Sequence, residues 1–351
     1  MTHTNRELVD LGDLDELVRH VDRLCEGQGW DDLEDLRHRC RAAVERGRQL
    51  WPIASLVEYR LALRAPAPWA AVVLTGDTGI WALGPLAEVA ASTHTFAELA
   101  PHLPVGPAAS VTAHERVVRG EDLTGAHLDQ WRHLVHDDGL PLVLQSWEPS
   151  YPVATYRDSA AEFPAPDPPP SSSLVALPAN TAPVGSTSPI TLPDDGATAA
   201  LRELTAGWSV GWSAGMPAKV AAVDGDVTVA IAAVCPTADA TAGIAAADAL
   251  ALMAWAAASG GDSGRRRGMA RGRFDAWWTV TALGGCDDDW PLDPDEVGEI
   301  ANSLVWCVFT DRSAVPGWNL RLAVHDPEDG LAWAIDAAGG PQRQHPAPSG
   351  P

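Results

Sequence analysis

Lysine is almost missing from this chain of 351 residues: Lys219 stands alone, and the other basic residues are arginine. An arginine at any one position is therefore a compositional habit before it is a functional signal. Acidic residues outnumber basic ones 47 to 24, which leaves a formal charge of -23 and a pI near 4.6. Nucleic acid and anionic membranes both need a basic surface, so broad attraction to either is not expected. Long apolar runs are absent too. The most apolar stretch, IAAADALALMAWAAA, is short and interrupted by Asp248, and MTHTNRELVD lacks the basic region and apolar run of a secretory leader. The five cysteines are odd in number and never arranged as CxxC, which signals neither a disulfide framework nor a zinc site and fits a reducing cytoplasm.

The length suits two domains, and a hydrophobic content of 46% can fill two cores. Apolar residues recur three and four apart from Leu8 to about Leu63, which predicts amphipathic helices. GQGWDD ends one of them, with Asp31 or Asp32 placed to cap the next; a third runs through PIASLVEYRLAL, with Pro52 in its first turn. Shorter helices follow in GPLAEVAAS, in THTFAELAPHL (where Thr95 and Glu98 have capping-box spacing), in AASVTAHERVVRG and in LDQWRHLVHDD. Residues 1–160 therefore predict an antiparallel, solenoid-like helical array without a fixed repeat period, closed by one or two short strands or an extended arm through PLVLQSWEPSYPVATYRD. Residues 161–196 are dense in Pro, Ser and Thr and predict a largely disordered linker. Residues 197–340 predict an α+β domain, and residues 341–351 a disordered tail. In that domain Asp224-Gly225 reads as a hairpin turn between MPAKVAAV and DVTVAIAAV. VWCVFT and WNLRLAVH read as a second strand pair. Helices are expected at TAALRELTAGWS, TAGIAAADALALMAWAAAS, MARGRFDAWWTVTALGG, PDEVGEIANSL and PEDGLAWAIDAA.

Five arginines, Arg265, Arg266, Arg267, Arg271 and Arg273, fall within nine positions of a glycine-rich loop leading into a helix. A helix N-terminus presents free N–H groups and a positive dipole end, and guanidinium forks bind phosphate or carboxylate at two points. Placed at that end, arginines need a negative partner. It is an external anion or acidic partner surface, or an internal carboxylate, for which Asp287, Asp288 and Asp289 are among the candidates; a purely solvated loop is the third reading. Trp277 and Trp278 adjoin the cluster and belong to a set of 15 tryptophans, against four phenylalanines and three tyrosines. Arginine stacked on indole could hold a planar ligand. Adjacent tryptophans on a helix point about 100° apart, so at least one is expected in the core.

Other motifs fall short. GGDSGRRRG lacks the Gly-Lys-Ser/Thr of a phosphate loop. GDSG around Ser263, with TAH at Thr112 to His114, echoes a serine protease without the two β-barrels that chemistry needs. His114-Glu115 lacks the second histidine of HExxH, and CDDDWPLDPDE lacks the ligand pattern of a calcium loop, leaving Asp293 as a helix cap. His133 and His136 in WRHLVHDDG are expected on one helix face near Asp137, Asp138 and His127; they are weak metal candidates without a third fixed ligand.

The run GRRRGMARGRFDAWWTVTALGG, followed by DPDEVGEI and by GWNLRLAVHDPEDGLAWAIDAA, resembles a family of conserved actinobacterial proteins that is functionally uncharacterised. The resemblance covers mainly Thr205 to Ala338 and implies no activity and no catalytic residues. With no complete catalytic constellation and no cofactor signature, the sequence favours a non-enzymatic cytoplasmic interaction protein that docks another protein on its helical domain. The alternative is a small anionic ligand, a nucleotide or phosphate, held by the arginine loop of a sensor or enzyme.

Overall fold

The computed structural model describes residues 4–75, 83–136, 138–177, 191–209, 218–261, 265–311 and 317–339. The protein is α+β and divides into two compact units. One comprises Met1–Leu144, Val153–Pro164 and Gly268–Ala270, the other Gln145–Pro152, Ala165–Arg267 and Arg271–Pro351.

The first unit is helical: α1 (Asn5–Leu11), α2 (Leu14–Glu26), α3 (Trp30–Glu45), α4 (Trp51–Arg64), α5 (Ala67–Val72), α6 (Leu86–Ala91), α7 (Phe96–Leu99) and α8 (Pro107–Val117). Local chemistry sets their ends. Thr4 and Glu7 form a reciprocal capping box on α1, Thr95 and Glu98 another on α7, and Asp13 accepts from the Glu16 N–H on α2. Helix α3 starts earlier than expected. Gly29 is its N-cap, and Asp31 and Asp32 sit in the first turn, where their charge meets the positive end of the dipole instead of capping it.

Helix α4 is the centre of this unit, buried almost all round from Ile53 to Leu63. Leu17, Val21 and Cys25 of α2 and Leu33, Leu36 and Cys40 of α3 join it in one core. Its two buried charges are paired: Glu58 accepts from Arg41 at 2.8 and 2.6 Å, and Arg60 meets Asp22 at 2.9 Å and Asp158 at 2.7 Å. Beyond Pro152 the chain carries β1 (Thr155–Tyr156), which pairs antiparallel with β2 (Ala161–Glu162).

The second unit contains β3 (Val175–Ala176), α9 (Gly196–Glu203), β4 (Lys219–Asp224), α10 (Val227–Val234), β5 (Ala240–Ile244), α11 (Ala246–Ser259), α12 (Met269–Leu283, whose first two residues belong to the first unit), α13 (Pro294–Ser303), β6 (Val305–Thr310), β7 (Asn319–Asp326) and β8 (Leu331–Ala338). The strands form one six-stranded sheet in the order β3-β5-β6-β7-β8-β4, with every neighbour antiparallel. Side chains alternate across it. Ala221, Val223, Cys307, Ala323, Ala332 and Ala334 pack on Ala230, Ile231 and Val234 of α10. Trp333 belongs to the opposite face, where its indole N–H donates to Asp195, the N-cap of α9, at 3.3 Å. The sheet is therefore covered on both faces.

Three sequence expectations are corrected here. The Asp224-Gly225 hairpin does not form: Asp226 accepts from the Thr228 and Val229 N–H groups and starts α10, so VTVAIAAV is a helix. TAGI at the start of the expected helix is instead part of β5, whose Thr241 hydroxyl donates to Val308 O across the ladder. PEDGLAWAIDAA is no helix either. PEDG closes a hairpin in which Asp326 accepts from Glu328 and Asp329 N–H and Gly330 takes a φ of +69°, so LAWAIDAA returns as β8. Within 161–196, the described residues carry β2, a 3-10 turn at Ser171–Ser173 and β3; residues 178–190 and the tail from 340 lie outside the described residues.

Candidate functional site

Two arginines of the loop, Arg267 and Arg271, meet the protein's own carboxylates. Arg267 contacts Glu203 at 3.3 Å and Asp275 at 3.4 Å, and Arg271 contacts Asp275 at 2.8 Å and Glu203 at 3.9 Å. Arg265, exposed, and Arg266, half-buried, are engaged as well. The expected partners Asp287, Asp288 and Asp289 form a 3-10 turn and pair with none of these arginines. Asp275 follows from helical spacing, since it stands four residues after Arg271. Burial pushes its carboxyl above the usual range despite Arg271 and Arg267, and Oδ2 has only the ion-pair contact to Arg267, with no hydrogen bond.

Arg273 points the other way, into the core. Its Nε and Nη2 donate to Glu148 Oε2 and Oε1, both at 2.8 Å, and neither side chain reaches solvent. Glu148 also accepts from the Gln145 N–H, the Tyr151 hydroxyl and the Trp277 indole N–H at 2.9, 2.7 and 2.9 Å. Burial alone would raise this carboxyl; the Arg273 bonds and charge, with the other donors, outweigh it and hold it below the usual range. Trp277, fully buried, has its ring centroid 4.8 Å from that of Trp147, tilted by 41°, and lies under the Arg273 guanidinium at 5.4 Å. Trp278, half-buried, meets Trp290 edge-on at 5.8 Å. The expected core tryptophan is Trp277.

The start of α12 is also occupied from within. Glu115 on α8 accepts from the Ala270 N–H at 2.9 Å and pairs with Arg119 at 2.9 Å. Gly268, at φ +94°, permits this approach, because a Cβ there would stand 2.6 Å from the Glu115 oxygen. A buried carboxylate thus supplies the negative charge that the helix N-terminus attracts. Sequence reasoning missed Glu115 and Glu148. The one signal available was an acidic residue set among apolar neighbours, in TAHERVV and SWEPSY.

The histidine reading is corrected. Residues 126–134 form a 3-10 helix that stops at Leu134, so His136 lies beyond it and does not share a helix face with His133. Both are exposed, and the His136 backbone N–H donates to Ser110 Oγ at 2.7 Å. Asp138 contacts buried His114 instead, at 3.3 Å. Asp137, the His127 side chain and Ser263 lie outside the described residues. Among the described residues no group of three or more His, Cys, Asp or Glu is placed to hold a metal ion, and no helix is long and apolar enough to cross a membrane.

The helical unit leaves an apolar row uncovered. Leu14 and Val18, one turn apart on α2, are 41% and 38% exposed, and Leu11, at the end of α1, is 68% exposed, while Leu17 and Val21 on the same α2 are fully buried.

Fold and site define an α+β protein with a helical N-terminal unit, in which arginines and helix ends are neutralised by internal carboxylates. The chain belongs to DUF6183, a family of unknown function, which matches residues 15–338. The match begins within α2 and so extends well beyond the C-terminal stretch that carried the resemblance. Neither a curated protein nor a solved structure matches the chain.

Proposed function

We propose that this chain is a non-enzymatic interaction protein of the cytoplasm that docks another protein on its helical unit. The observation behind the proposal is the second apolar row of α2. Leu17, Val21 and Cys25 fill the unit's own core, whereas Leu14, Val18 and neighbouring Leu11 face solvent. Exposed apolar area disfavours the free state by about 25 cal/mol per Å², so clustered side chains of this kind are natural contacts for association. Five free cysteines agree with a reducing compartment. A photo-crosslinking residue at position 14, compared with one at Arg202 on α9, tests the reading in cells that express the full chain. A discrete adduct at position 14, lost on Val18→Asp, is the expected result. Absence of an adduct, or the same adducts at both positions, rejects it.

The alternative, a small anionic ligand held by Arg265, Arg266 and Arg267, has less behind it, because Glu203 and Asp275 already partner Arg267. A rise in melting temperature with phosphate or a nucleotide, abolished by substituting all three arginines with alanine, would reinstate it.

A further inference from the structure

A cleft of about 270 Å³ opens in the helical unit, lined from α1, α2 and α3 by Asn5, His20, Leu24, Asp32, Asp35 and Arg39 among others. Its polar side chains form a relay. Asn5 Nδ2 donates to Asp32 O at 2.7 Å and to Asp35 Oδ2 at 3.0 Å, which leaves Asn5 Oδ1 as an acceptor. His20 Nε2 lies 2.7 Å from that oxygen and therefore carries the hydrogen. In the neutral ring Nδ1 is then a bare lone pair, and no group among the described residues bonds to it.

The charges of the cleft divide in the same way. Arg39 donates to Asp35 at 2.7 Å, so each satisfies the other. The Asp32 carboxylate has neither an ion pair nor a hydrogen bond among the described residues, yet it is near enough to act electrostatically on His20. The unused capacity on both His20 and Asp32 is acceptor capacity. A ligand suited to it brings N–H donors and positive charge, and half-buried Leu24 supplies an apolar wall beside them. A chain of charge -23 also concentrates small cations at its surface.

We propose that this cleft binds a small organic cation, a primary alkylammonium such as one end of a polyamine. Two of the ammonium hydrogens go to His20 Nδ1 and the Asp32 carboxylate, the third goes to water, and the methylenes lie against Leu24. Binding requires neutral His20. Burial and Arg23 hold its pKa below the usual 6.5 against the pull of Asp32 and Glu16, with the Asp35–Arg39 pair and Arg6 the other charged groups around the cleft. The site is thus open at neutral pH and closes in acid as the ring gains its second proton.

The test is an NMR titration of the full-length, isotopically labelled chain with n-butylammonium chloride, with n-butanol as the neutral control. The His20 ring nitrogens and the Leu24 methyls are the reporters. A saturable shift with the ammonium and none with the alcohol is expected, weaker at pH 5 than at pH 7.5. Asp32→Asn, read at His20, and His20→Gln, read at Leu24, each weaken binding about tenfold, the size of one lost charge-assisted hydrogen bond. Asp288→Asn, an exposed acid of the other unit, leaves it unchanged. No saturable shift, an equal response to butanol, or equal losses in Asp32→Asn and Asp288→Asn overturns the proposal, the last by revealing a diffuse counterion effect. The outcome is independent of whether a partner docks at Leu14.

Discussion

Glu148 and Arg273, 125 residues apart in sequence, meet in a two-point ion pair with both side chains wholly buried. Removing one partner strands a charge away from water, which costs about 3–5 kcal/mol. Arg273→Met is expected to lose stability on that scale in urea unfolding, and a loss below about 1 kcal/mol would contradict the geometry. The pair also sets a pH dependence. Because the Glu148 pKa is depressed in the folded state, its contribution is complete above the unfolded value of 4.5 and is lost as pH falls through the folded value. Acid melts of Glu148→Gln should therefore start from a lower stability and fall less steeply below pH 4.5 than those of the wild type.

Asp275 contrasts with Glu148. Its arginine partners, Arg267 and Arg271, are 25% and 44% exposed and can be solvated when it is neutralised. Asp275→Asn is expected to change stability by about 1 kcal/mol or less. The sign with pH is opposite, since its pKa is raised: its stabilising contribution is complete below the unfolded value of 3.8 and declines as pH rises through the folded one. Stability curves of wild type and Asp275→Asn that converge in acid and separate above pH 4 would match this.

Glu115 holds the first turn of α12 through the Ala270 N–H. Glu115→Gln weakens the cap by about 1–2 kcal/mol while keeping a side chain of the same shape. Hydrogen exchange resolved at Ala270 should quicken well before that of the α12 interior, and unchanged protection there would show that the cap contributes little.

Four of the five thiols are buried, and burial pushes Cys40 up to about 12, so that it carries almost no thiolate at pH 8. Cys286 alone is partly exposed. One rapid equivalent of Ellman's reagent per native chain is expected at pH 8, abolished by Cys286→Ser. A second rapid thiol would mean that the cores open readily.

How much of this was legible in the sequence depended on the range of the interactions. The helices before residue 120 show because their signals are local: apolar spacing, Thr95 with Glu98, Pro52 in a first turn. LAWAIDAA misleads because alanine favours helix, a preference of less than 1 kcal/mol per residue that pairing with β7 and β4 on both sides overrides. VTVAIAAV misleads in the reverse sense, its β-branched residues outweighed by the Asp226 cap. The arginine cluster was visible as a demand for negative charge. Which carboxylates meet it was not, because Glu148 and Glu203 reach Arg273 and Arg267 only through the tertiary fold.

The place of β8 in the sheet has a temporal side. Among the described residues β4 ends the sheet order next to β8, with Thr191 bridged to Val223 on its other side, and β8 ends at Ala338. When the ribosome has just released β4, about a hundred further residues must still be made, roughly 5–20 s of synthesis, before its partner exists. Through that interval the β8 side of Lys219–Asp224 stays unpaired, although Thr191, which bridges Val223, is already made. Release of nascent chains cut before Leu331 should therefore yield a helical unit joined to a sheet that cannot close, a natural substrate for chaperones.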